Sequence, residues 1–79
     1  MPDLTQELAH LAQADDHIAH AESCVTRQEI LVARMRSHGH SGQAEEAMLG
    51  RFQAALATFN RHRAEIVAAI NRLAPAADE

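Results

Sequence analysis

The fold predicted for this chain is all-α, an antiparallel two-helix hairpin, and three observations predict it. Leu4, Leu11, Ile18, Val25 and Val32 recur at every seventh position, the period of a helix that packs along a seam. A second run, Leu49, Phe52, Leu56, Phe59, Ile66, Ile70 and Leu73, alternates three and four apart, with Arg63 as its one charged member. Between the two runs lies a single convincing break, Ser37 to Gly42. Composition agrees: alanine is the commonest residue and Phe52 and Phe59 are the only aromatic side chains, a mixture that favours helix over sheet.

The first helix is expected to span about 3–38. Asp3 can accept from the free amides of the first turn, and Gln6, three residues on, is the reciprocal partner of a capping box. Three residues after each seam aliphatic stand Glu7, Ala14, Ala21, Gln28 and Met35. Alanines at two of these positions let a facing helix approach closely, whereas Gln28 brings an amide that needs partners if buried.

In the break, Gly39 can take the left-handed conformation that ends a helix, and Ser41 is expected to cap the next. The second helix then spans about 41–74. Glu45 and Glu46 fall near its start, where the helix dipole favours acids, and Pro75 disfavours helix at the residue before it. Residues 75–79 are expected to be a frayed tail on a single domain, 1–79. A turn centred near position 40 pairs residues whose numbers sum to about 80, from antiparallel geometry. It sets Ile18 against His62, His17 near Arg63, and Gln28 against Phe52.

One hairpin gives each helix one neighbour, yet Leu8, Leu31, Met48 and Val67 widen the apolar stripes beyond one seam. At 79 residues a core of this kind is marginal on its own. A homodimer forming a four-helix bundle is the expected architecture, with a partner protein as the competing source of the missing helices.

Charge and sequence context bound the function. A formal net charge of −4 argues against nucleic acid as a partner, which requires a positive face. All seven basic residues are arginine, a bias that carries no functional weight. Cys24 is the sole cysteine and cannot form an internal disulfide, which points to a reducing compartment. No basic segment followed by an apolar run opens the sequence and no apolar stretch approaches the roughly 20 residues of a membrane span. No membrane partner and a cytoplasmic location are expected.

The segment from Asp15 to Gln28 loads α-helical periodicity with titratable groups. His17, His20 and Cys24 share one side of a helix, and His62 can join them from the second helix. Imidazole and thiolate suit zinc, so these four residues are the candidate metal ligands, weighed against surface histidines and a cysteine packed as a small apolar residue. A second constellation is a polar layer of His17, Glu22, Gln28, His62 and Arg63 within the bundle. A seam arginine needs a partner, and Glu22, Asp15 and Asp16 lie within about a turn of its level. Such a layer can fix register and oligomeric state; the plain alternative is an Arg63 that reaches solvent past its aliphatic stem. His10, His17, His20, His38, His40 and His62 together could act as a pH switch, although His38 and His40 flank a glycine and are more simply solvated loop residues. Arg51, Arg61, Arg63 and Arg72 give the second helix basic character suited to intersubunit pairing. No nucleophile in a defined turn and no phosphate loop is found, and catalysis is not expected.

His17-Ile18-Ala19, Glu22 and Gln28, followed by Leu49, Phe52, Leu56 and His62-Arg63, resemble the pattern of small uncharacterised helical proteins of alphaproteobacteria, rhizobia-like bacteria above all. The resemblance spans most of both helices and brings no activity, substrate or cofactor. It implies only that His17, Glu22, Gln28, His62 and Arg63 belong together. The functional expectation is a non-enzymatic, self-associating helical module for interaction or regulation. A metal-binding protein using histidines and Cys24 is the alternative, and a phage or host-defence regulator that binds a larger protein is a second.

Overall fold

A computed structural model gives the structure of the chain and describes residues 3–74; the predicted frayed tail, 75–79, lies outside the described residues. Two helices are present, α1 (Leu4–Ser37) and α2 (Gln43–Leu73), packed against each other as a hairpin. The capping box forms as the sequence requires: the Gln6 amide donates to Asp3 Oδ1 at 2.8 Å, and the Asp3 amide donates back to Gln6 Oε1 at 3.3 Å. Two of the otherwise orphaned donors of the first turn are thereby satisfied.

The C-terminus of α1 is a Schellman motif. The His40 amide donates to the Met35 carbonyl at 2.9 Å and the Gly39 amide to the Arg36 carbonyl at 3.1 Å. Gly39, at φ 80°, supplies the left-handed residue that this motif needs. Ser41 is not the cap of α2. That position belongs to Gly42, at φ 66° and with no side-chain cap, while the Ser41 hydroxyl accepts from the Gln43 amide at a long 3.5 Å. The left-handed backbone excludes serine from the capping position more firmly than a hydroxyl bond would favour it. At the other end, Ala74 takes an extended ψ of 126°, as a residue before proline does, and its amide closes α2 on the Ile70 carbonyl at 2.8 Å.

The predicted register is displaced by about one helical turn. His17 meets Phe59, with ring centroids 5.4 Å apart, and it is Asp15 that reaches Arg63. Ile18 is therefore not opposite His62, which instead borders the same groove as Ala14. The cause lies in the connection: after the Schellman turn the chain doubles back along α1, so that Gly42 sits beside Met35 and the Val32 carbonyl before α2 begins.

The molecule measures 62 × 21 × 16 Å, two helices wide and one helix thick. Its seam buries Ala14, Ala21 and Val32 on α1 and Ile66 on α2, together with Glu7. Leu11, Ile18, Phe52, Leu56 and Phe59 are only half-buried. Leu8, Ile30, Leu31, Met48 and Leu73 are exposed. A single layer of two helices has no second side for these residues to face.

Candidate functional site

Both edges of the hairpin follow from heptad spacing. On one edge α1 presents Leu8, Asp15, Glu22, Glu29 and Arg36, each seven residues from the next. Two ion pairs tie this edge to α2. Arg63 Nε donates to Asp15 Oδ1 at 2.6 Å, and the Arg36 guanidinium donates to the Glu46 carboxylate. Arg63 is thus paired, by one of the three acids its sequence position brings within reach; Glu22 is exposed and plays no part in that bond.

On the other edge α1 presents His10, His17, Cys24 and Leu31, again seven apart. This edge is open. A groove of about 890 Å³ runs along it, bordered by His10, Ala14 and His17 from α1 and by Phe59, His62 and Glu65 from α2. The His17 ring meets Phe59 within the groove at a tilt of 41°. Two of the groove's histidines have acidic neighbours on their own helices: His62 Nδ1 is 3.8 Å from Glu65, and His10 Nδ1 is 3.6 Å from Glu7. Nearer the turn, Cys24, Gln28, Leu31 and Phe52 border a smaller recess of about 260 Å³. Gln28, half-buried there, donates from Nε2 to the Glu45 carbonyl at 2.9 Å. Its amide thereby finds the partner that burial demands, in the backbone of the facing helix.

The candidate metal ligands divide into two groups. Cys24 Sγ is 3.7 Å from His20 Nε2, an i, i+4 contact on the surface of α1. His17 and His62 border the large groove instead. Among the described residues no three His, Cys, Asp or Glu side chains are gathered in a way that holds a metal ion. The members of the candidate polar layer divide as well. In the single hairpin His17 and His62 share the groove, Gln28 lies nearer the turn, and Arg63 pairs toward the opposite edge.

His10 lies on the His17 side of α1, as its seven-residue spacing requires. Two participants do not follow from the sequence pattern alone: Phe59, a seam residue, also contacts the His17 ring, and Glu65 borders the groove. A three-residue step from His62 to Glu65 is the signal that places the second. No helix among the described residues is long and apolar enough to cross a membrane. No protein-family model matches this chain, and no curated protein and no solved structure matches it either.

Proposed function

We propose that this chain is a non-enzymatic helical interaction module that works by self-association, two hairpins packing as a four-helix bundle. The observation that carries the reading is the single-layer core: no large side chain among the described residues is fully buried, and Leu31 and Met48 stand 41% and 39% exposed beside half-buried Phe52. Apolar surface left in water by one layer is covered at about 25 cal/mol per Å² when a second layer is added. Light scattering at micromolar concentration is expected to give twice the chain mass of 8.6 kDa. A monomer with cooperative melting and sharp side-chain resonances overturns the proposal.

A metal-binding role is favoured by one specific contact, that between His20 and Cys24 at 3.7 Å. Two ligands one helical turn apart form half of a tetrahedral zinc site, leaving the other half to a second chain. The test is metal content by mass spectrometry on protein purified without an affinity tag. Zinc at one per two chains, with a melting temperature raised by added zinc, supports the role. Metal far below that ratio, with no thermal shift, removes it.

A further inference from the structure

We infer that the open edge is where the second copy sits, in an antiparallel, twofold arrangement in which Leu31 and Met48 of each chain fill the groove beside Ala14 and Phe59 of the other. The inference rests on the self-association proposed above and adds to it a face, a direction and a pair of knobs.

An isologous interface must be complementary to itself, and this edge is. It carries a hollow at the level of Ala14 and Phe59 and exposed apolar side chains, Leu31 and Met48, toward the turn. Ala14 and Leu31 lie roughly 25 Å apart along α1 at the standard rise. Midway between them, at the level of Ala21 and Cys24, the seam position is a buried alanine and the edge position a half-buried cysteine. A twofold axis at that level carries each knob onto the partner's hollow, and small side chains at the axis let the two faces come together. Met48 stands on the same edge of α2 as His62, fourteen residues away and so on the same heptad position.

The same operation on the opposite edge is unfavourable. There it sets Glu22 against its own copy and Asp15 against Glu29, acid on acid, on an edge whose arginines Arg36 and Arg63 already serve Glu46 and Asp15. Area agrees with the choice of partner. A face 21 Å wide and roughly 50 Å long offers about 1,000 Å² in projection, against the roughly 800 Å² per partner of a standard interface. A parallel dimer through this face brings knob onto knob and leaves both hollows unfilled.

Two measurements test the inference. The Leu31→Glu, Met48→Glu double variant, altered only at exposed positions, is expected to keep its helical circular dichroism and to raise the dimer dissociation constant more than about tenfold. Leu8→Glu, at a somewhat more exposed leucine on the other edge, is expected to leave the constant unchanged. A nitroxide on Ser41→Cys, in a Cys24→Ser background, is expected to report a separation of roughly 50 Å between turns at opposite ends of the dimer. If the parent chain dimerises but the double variant dimerises equally well, or Leu8→Glu is the one that dissociates, the assigned face is wrong while self-association stands. A turn-to-turn distance under about 25 Å overturns the antiparallel direction. A monomeric parent removes both the proposed function and this face.

Discussion

Arg63 on α2 and Asp15 on α1 are joined across the hairpin by a 2.6 Å hydrogen bond from Nε to Oδ1, although forty-eight positions separate them in sequence. Their side chains are 41% and 53% exposed, so water competes for both charges and the pair holds the edge in register more than it stabilises the fold. Pairs of this exposure contribute about 0–1 kcal/mol.

Asp15→Asn is therefore expected to lower stability by less than about 1 kcal/mol. Arg63→Leu returns an aliphatic residue to the seam between Phe59 and Ile66, and is expected to leave stability unchanged or raise it. Urea titrations of the two variants beside the parent chain check both outcomes. A loss above about 2 kcal/mol on Arg63→Leu means that the ion pair is a principal structural bond, and contradicts its exposure.

Gln28 makes a part-buried hydrogen bond across the hairpin, from Nε2 to the Glu45 carbonyl at 2.9 Å, where the two cross-hairpin ion pairs are exposed. Gln28→Ala removes the donor and a half-buried stem together and is expected to cost about 1 kcal/mol, the usual net worth of one such bond. Thermal melts read the change. Equal stability places the amide's benefit with water rather than with Glu45.

How far the sequence led depends on the range of each interaction. Both helices, the capping box at Asp3 and the left-handed Gly39 were legible, because they rest on spacings of seven residues or fewer that stereochemistry enforces locally. The register was not. It depends on how the chain between His38 and Gly42 doubles back, and a slip of one turn exchanged the neighbours of His17 from Arg63 to Phe59. The need of Arg63 for a carboxylate was visible in the seam pattern, and Asp15, which meets it, is among the acids that pattern brings within reach. The partner of Gln28 was invisible for a different reason, since it is a backbone carbonyl that no side-chain pattern records. The cap of α2 stands one residue beyond the serine that its side chain favours, because the left-handed backbone at Gly42 decides the position.

Two glycines should respond to alanine in opposite directions. Gly42 is held at φ 66°, and although an added Cβ meets Met35 Cβ at an ordinary 3.5 Å, the left-handed backbone costs a side-chain-bearing residue roughly 1–2 kcal/mol. Gly50 lies inside α2 with nothing within 4 Å of an added Cβ, and Gly50→Ala is expected to stabilise by about 1 kcal/mol through helix propensity. Calorimetric melting temperatures should fall for Gly42→Ala and rise for Gly50→Ala. A rise in both would mean that the connection can rebuild its cap without a left-handed residue.

The alanines of the seam set how closely the helices approach, and their sensitivity should differ sharply from that of alanines on the outer face of the same helix. Ala21 is 6% exposed, near the middle of α1, in the seam buried between the two helices. Three added carbon atoms at Ala21→Leu have to displace α2 or adopt a strained rotamer, which costs about 1–3 kcal/mol in a packed seam. In a hairpin that buries so few large side chains, a loss of that size is a large share of the total. Ala19, two residues away, is exposed, and Ala19→Leu adds the same atoms to solvent for a change within about 0.5 kcal/mol. Chemical denaturation of the pair separates the two positions. Similar losses at both would show that helix propensity, and not the closeness of α1 to α2, fixes the stability of the chain; a tolerated Ala21→Leu would mean that the helices can part by the width of a side chain without losing the seam.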